Sequence, residues 1–204
     1  MSTLLHLTAI VPAAGHSSRM GTANKLLLPL GDKTILEHVA AAICAAPVED
    51  VVVVTGHQHE QVKAALAGYP VRFAHNARHA DGMASSLACG VLAASSATDG
   101  FLICLGDMPF LSSRTITRLR DTFANTPRPA ILIATADGRR GHPVLFDSAY
   151  RNALLHLRGD VGARAVIQAH AEAVVEVETG NEALFQDVDT QEAYDQIRRG
   201  TEHG

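Results

Sequence analysis

Short β-branched runs alternate along the chain with longer amphipathic stretches. The runs at Leu7–Val11, Val51–Thr55, Val71–His75, Phe101–Leu105, Ala130–Ala134, Pro143–Phe146 and Ala173–Glu178 predict strands. Val51-Val52-Val53-Val54 is apolar at every position, the pattern of a strand covered on both faces within a parallel sheet. Ile35, Val39 and Ile43 recur every four residues, and Ile116, Leu119 and Phe123 at three and four, so each set lines one face of a helix. Ser112 or Ser113 is placed to cap the second of these helices, and Gly68 to close another that starts near Gln58. The resulting βαβαβαβ order predicts right-handed crossovers. It implies an α/β fold, a three-layer Rossmann-like, mostly parallel sheet with helices on both faces, in one domain over residues 1–204. Ligands of such sheets bind beyond the carboxyl ends of the strands, so chemistry is expected in the loops there. Two such loops, Asn76–Ser86 and Ala136–His142, are longer and more polar than a connection requires.

Composition narrows the function class. Hydrophobic residues make up 47% and charged residues 19% of the chain, enough for a buried core and too apolar for disorder. The net charge of −4 argues against nucleic acid as a partner, which ordinarily meets a basic excess. It leaves open anionic small molecules held by a locally positive cleft. Cys44, Cys89 and Cys104 form no C-x-x-C pair, which fits a reducing cytoplasmic setting, and Cys44 and Cys104 read as core thiols. No apolar run reaches the roughly 18 residues of a membrane span. The apolar start of the chain has no Lys or Arg before it and reads as a strand, not as a signal peptide.

The sharpest signal follows the first strand: Pro12-Ala13-Ala14-Gly15-His16-Ser17-Ser18-Arg19-Met20-Gly21-Thr22-Ala23-Asn24-Lys25. Small residues at 13–15 let a phosphate reach backbone N–H groups unobstructed. Arg19 and Lys25 add positive charge, and Ser17, Ser18 and Thr22 add hydroxyls. The loop fits neither standard glycine fingerprint. Lys25 stands four residues after Gly21 where a P-loop needs it next, and Ser17 stands where a dinucleotide turn needs Gly. Asp107 closes an apolar run before Met108-Pro109, so it falls at a strand's carboxyl end facing that cradle, where a Mg²⁺ bound to phosphates needs a carboxylate. Asp189 precedes Thr190-Gln191-Glu192. It either caps the last helix, with Glu192 completing a capping box, or is left free by a Thr190 cap. His57-x-His59 and His75-x-x-x-His79 have ligand-like spacings, but a zinc site needs a third and fourth ligand and no Cys is near.

A-A-G-x-S-x-R-M-G followed by Lys resembles the signature loop of the sugar-nucleotide and molybdenum-cofactor nucleotidyltransferases, the MobA-like NTP transferase family. Asn76–Leu87 resembles that family's N-P-x-W-x-x-G-M-x-x-S-L segment, with Ala77 and His79 standing where Pro and Trp are common. Gly106-Asp107-Met108-Pro109, Arg140-Gly141-His142-Pro143, Gly159-Asp160-Val161-Gly162-Ala163-Arg164 and Asp187-Val188-Asp189-Thr190 follow in family order, so the resemblance spans about residues 7–197. R-G-H-P together with G-D-x-G-A-R is similar to the molybdenum cofactor cytidylyltransferase branch. Pro12, where Leu is usual, is similar to the cytidylyltransferases of isoprenoid synthesis, whose other motifs are missing.

The resemblance implies the nucleotide-diphospho-sugar transferase type of sheet and transfer of a nucleotidyl group from a nucleoside triphosphate to a phosphate. It places Pro12, Ala13, Ala14, Gly15, Arg19, Lys25, Asn76 and Gly82 at the nucleotide, with Lys25, Arg19 and Asp107 as the catalytic set. Asp107 and Asp189 would hold Mg²⁺, and His142 and Arg140 would face the acceptor. Ala at position 14 goes with cytidine in this family and Gly with guanosine, which points to CTP over GTP as donor. The implied acceptor is Mo-molybdopterin, with a recipient molybdoenzyme as a further partner. A guanylyltransferase, a dinucleotide-dependent oxidoreductase and a non-catalytic molybdoenzyme accessory protein are the rival readings. The oxidoreductase lacks an acidic ribose partner directly after the second strand, where Thr55-Gly56-His57 stands.

Overall fold

The computed structural model describes residues 5–15, 24–160, 162–181, 185–188 and 190–201. Seven strands form one sheet: β1 (Leu7–Ala13), β4 (Asp50–Thr55), β5 (Arg72–His75), β6 (Gly100–Ile103), β7 (Ile131–Ala136), β8 (Arg139–Asp147) and β9 (Val174–Glu178). Their order across the sheet is β5-β4-β1-β6-β8-β7-β9. Strands β5, β4, β1 and β6 run parallel, β8 is antiparallel to both β6 and β7, and β7 is parallel to β9. A second, two-stranded ribbon joins β2 (Pro29–Leu30) to β3 (Lys33–Thr34) and was not legible in the apolar pattern, being too short to show a period.

Every residue of β1 is buried, and its side chains alternate between two cores. Ala9, Val11 and Ala13, with Val51 and Val53, face helices α1 (Ile35–Cys44), α2 (His59–Ala65) and α4 (Ser113–Asn125). Ile10, with Val52, Val54, Phe101 and Ile103, faces α3 (Met83–Ala93), α5 (Arg151–Leu155) and α6 (Arg164–Ala169). The period-2 geometry of a strand therefore divides the helices between two layers, and the sheet between them is the predicted one. Ile35, Val39 and Ile43 are fully buried on α1, as are Ile116, Leu119 and Phe123 on α4. Each such side chain contributes about 1.5–3 kcal/mol relative to exposure.

The helix ends follow local chemistry. Thr34 and Glu37 form a reciprocal capping box at the start of α1, a T-x-x-E signal present in the sequence. Ser112, not Ser113, caps α4 by accepting from the Thr115 N–H. The helix begun near Gln58 ends at Ala65, before Gly68.

Both polar loops need correction. Ala136–His142 is a tight hairpin: Asp137 and Gly138 take positive φ values of 51° and 73°, and β8 starts at Arg139. An Asp-Gly pair is the favoured two-residue turn because both positions must be left-handed. The Asn76–Ser86 loop ends at Gly82, so Ser85 and Ser86 lie in the first turn of α3.

The final helix, α7 (Gln191–Thr201), packs Tyr194 and Ile197 against Leu30, Ile35 and Val188, and the Tyr194 hydroxyl donates to the Pro29 carbonyl at 2.6 Å. No helix among the described residues is long and apolar enough to cross a membrane.

Candidate active site

The carboxyl ends of the parallel strands converge on one edge of the sheet. Ala14 and Gly15 follow β1, Gly56 and His57 follow β4, Asn76 follows β5, and Asp107 lies four residues beyond β6. The antiparallel course of β8 brings its first half to the same edge, since Ile103 pairs with Val144 and His142 lies two residues further out.

Asp107 and Lys25 meet there, 82 residues apart in sequence, with Lys25 Nζ 2.6 Å from Asp107 Oδ2. Their side chains keep only 17% and 18% of their surface in contact with solvent. The turn carrying Asp107 is seated tightly: a Cβ at Gly106 would lie 3.1 Å from the Pro12 carbonyl and 3.3 Å from Leu36. Lys25 opens a short turn, Lys25–Leu27, that Asn24 caps by accepting the Leu26 N–H, while Leu26 is buried.

Among the described residues, the buried atoms Asn24 Nδ2, Asp107 Oδ1 and His142 Nδ1 on this edge have no hydrogen-bond partner. Buried polar atoms are nearly always satisfied, so these orphans on and beside one ion pair mark a place for a polar ligand. Asn24 was not singled out from sequence. Its signal was an Asn directly before the loop's Lys.

His142 donates to the Ile103 carbonyl and lies within the field of Asp107, both of which favour the charged ring. Burial outweighs them and holds its pKa below the usual histidine value, so the ring is neutral at pH 7. Arg140 is directed elsewhere. Its guanidinium pairs with Glu176 on β9 at 2.8 Å, and Arg139 stacks over Phe185 at 4.0 Å.

On the other flank, Ala14 is buried, and its carbonyl accepts from the His57 N–H at 3.3 Å. A Cβ at Gly56 would approach Ala14 Cβ to 2.8 Å and His79 Cβ to 2.6 Å, so Gly56 is what lets the 76–82 loop close against β1. Asn76 is buried and braces that loop. Its Nδ2 donates to Ser85 and Ser86 at 2.8 and 3.1 Å, and its Oδ1 accepts from the Arg78 N–H. Gly82 takes φ 95°, against Gly159 and Asp160. Pro12 and Ala13 belong to β1, with Ala13 fully buried and Gly15 exposed.

Arg19, Ser17, Ser18, Thr22 and Asp189 lie outside the described residues. The neighbours of Asp189 are described. Val188 donates its N–H to the Asp107 carbonyl at 3.1 Å, and Thr190 accepts the Ala193 N–H at 3.2 Å. Thr190 is therefore a cap of α7, one of the two arrangements the sequence allowed.

The site fits a divalent cation in one respect. Lys25 engages one oxygen of Asp107, and the other is buried and unclaimed, as suits an ion that takes one or two carboxylates and completes its shell with phosphate oxygens and water. Among the described residues, no three His, Cys, Asp or Glu side chains group to hold a metal by themselves.

The MobA-like NTP transferase domain family matches residues 9–174. The chain is 30% identical over 197 residues to nicotine blue oxidoreductase of Paenarthrobacter nicotinovorans, covering 91% of this chain and 93% of that protein. It is 32% identical over 205 residues to the purine catabolism protein PucB of Bacillus subtilis, covering 95% and 97%. Among solved structures, Rv0371c of Mycobacterium tuberculosis superposes with a TM-score of 0.83 at 26% identity, over 97% of this chain and 99% of that one. Rv0371c is also known as a complex with manganese, at a TM-score of 0.79 and 25% identity over 95% of this chain and 98% of that one.

Proposed function

Since this chain belongs to the MobA-like NTP transferase family, we propose that it moves CMP from CTP to the terminal phosphate of Mo-molybdopterin and releases pyrophosphate. An acceptor phosphate oxygen attacks the α-phosphorus, a new phosphorus–oxygen bond forms, and the bond from the α-phosphorus to the bridging oxygen of the β-phosphate breaks. Such a step asks little covalent chemistry of the protein, and positioning with charge neutralisation supplies most of the acceleration.

The observation that carries this reading is the Lys25–Asp107 pair, with Asp107 Oδ1 buried and unclaimed at the carboxyl ends of β1 and β6. Lys25 and Arg19 hold the triphosphate. Asp107 and Asp189 would hold Mg²⁺, which when bound would neutralise phosphate charge. Thr190's role as cap and the Val188 bond to Asp107 support that assignment of Asp189. Ala14 and Gly15 bring the backbone at the end of β1 close to the nucleotide, and Pro12 and Ala13 hold that turn from within the buried strand. Asn76 and Gly82 shape the opposite loop through its bracing and its turn. The neutral His142 presents Nδ1, an acceptor atom, towards the second substrate, so it receives a proton-bearing group there and does not add positive charge. Arg140, paired with Glu176, serves the acceptor only by exchanging that partner. Ala14 supports CTP as donor, with GTP the near alternative, and a recipient molybdoenzyme would take the product.

A second reading, a nucleotide-dependent oxidoreductase, is favoured by one observation, the name of the P. nicotinovorans relative. Purified protein incubated with Mg²⁺ and CTP, GTP or NADPH, with and without Mo-molybdopterin, separates the readings. Pyrophosphate release that needs both CTP and the pterin is expected. NADPH oxidation without pyrophosphate would replace the transferase by the reductase.

A further inference from the structure

The G-D-x-G-A-R segment is left without a task by the chemistry above, and its position suggests one. Helix α3 begins immediately after Gly82 and has no side-chain cap of its own. Its first N–H groups are met from far along the chain: Met83 N–H donates to Asp160 Oδ1, 77 residues away, at 3.3 Å, and Ala84 N–H donates to the Gly159 carbonyl at 3.1 Å. The fit is close, because a side chain at Gly82 would collide with Asp160 Oδ1 and approach the Gly159 carbonyl to 2.8 Å. At the other end, Arg151 donates to the Val91 carbonyl at 3.0 Å and the Ser95 carbonyl at 2.6 Å while stacking over the buried Phe101 ring at 4.8 Å.

One stretch of chain, 151–160, thus grips α3 at both ends. It puts a carboxylate at the positive end of the helix dipole and a guanidinium at the negative end. The helix needs such help, since its first turn is small and uncapped and it carries Gly90 in its interior. The first turn of α3 also anchors the loop before it. Ser85 Oγ lies 2.9 Å from the carbonyls of Arg78 and Gly82 and accepts from Asn76 Nδ2, and that loop carries His79 against Gly56 and Ala14.

We propose that Asp160 is a positioning residue: by capping α3 from across the chain it holds the 76–82 loop in register with Ala14 and so sets the affinity for the nucleotide donor. The proposal rests on the nucleotidyltransferase reading for its substrate, but the clamp itself is a property of the fold. Asp160 reaches the site through α3 and the loop, without touching the reacting phosphates.

The test compares Asp160→Ala and Asp160→Asn with the parent, after thermal melts establish that each is folded. Amide hydrogen exchange is followed over residues 76–86, with KM and kcat for CTP at saturating Mg²⁺. In Asp160→Ala, exchange at 83–86 should quicken about tenfold and KM should rise by a similar factor, with kcat within about twofold, since a lost cap frees a local unit and leaves the chemistry alone. Asp160→Asn should restore both, because Asn and Asp cap almost equally. Parent-like exchange in Asp160→Ala would remove the clamp. A defect in Asp160→Asn as deep as in Asp160→Ala, with native exchange, would mean that the carboxylate acts on a ligand directly and would overturn the positioning role. Should the parent show no transfer from CTP, the transferase reading fails while exchange still decides the clamp.

Discussion

Lys25 Nζ and Asp107 Oδ2 lie 2.6 Å apart, joining the loop after β1 to the turn after β6 across 82 residues. Neither residue has its partner in local sequence, and each is largely shielded from water. A cation and a carboxylate held together at the strand ends would act on charge developing there without first reorganising.

Replacing Lys25 by Ala should lower kcat/KM for CTP about a hundredfold, near 3 kcal/mol of transition-state stabilisation. The fold should persist, because Lys25 sits in a short turn secured by Asn24 and by buried Leu26. Steady-state kinetics beside a thermal melt checks both halves. Parent-like kinetics in Lys25→Ala would refute the site.

Asp107→Asn keeps the shape of the side chain and removes the charge that both Lys25 and a cation require. Activity should fall below detection at ordinary Mg²⁺. Asp189→Asn should be partly rescued by raising Mg²⁺, because Thr190 caps α7 and only ion affinity is lost. Initial rates over a Mg²⁺ titration give the comparison. Indifference of Asp189→Asn to the ion, with full activity throughout, would take Asp189 out of the metal site.

Ala14→Gly should raise the use of GTP relative to CTP without reversing the preference, since one methyl group is worth about 1–3 kcal/mol of discrimination. The Ala14 side chain lies beside Gly56 and His79, so its removal opens space where the 76–82 loop closes. An unchanged CTP to GTP ratio would shift base reading to His79 and its loop.

Burial holds the His142 pKa below the ordinary histidine value of about 6.5. In the window between the folded value and 6.5 the unfolded chain binds more protons, so this residue's contribution to stability is complete above 6.5 and is lost as pH falls through the window. One proton corresponds to a slope of at most about 1.4 kcal/mol per pH unit. Urea unfolding at pH 7, 6 and 5 should therefore show a shallower acid loss in His142→Asn than in the parent. Parallel losses would mean that His142 is not the group responsible.

The layering is written in local patterns. The unbroken apolar runs in β1 and β4, whose side chains alternate in direction, and the 3.6-residue spacing in α1 and α4 are local patterns, and the two cores follow from them directly. All seven sheet strands were legible within a few residues, as was the edge on which the chemistry collects. What depends on distant partners emerges only when the layers pack. Packing turned Ala136–His142 from a loop into a hairpin, because the antiparallel β7–β8 ladder pairs Thr135 with Arg140 and Ala136 with Arg139. It paired Lys25 with Asp107 and sent Arg140 to Glu176. It gave Asn76 a bracing duty, while the Thr190 cap on Ala193 is a local bond that the motif alone could not distinguish from an Asp189 cap. Asp160 shows the reason most plainly. A helix cap is ordinarily written in the adjacent residues, but here Gly82 supplies no side chain and the carboxylate comes from 77 residues away. Periodicity records which face a residue presents to the core, whereas a hydrogen bond between distant segments is fixed only when the packed layers bring them together.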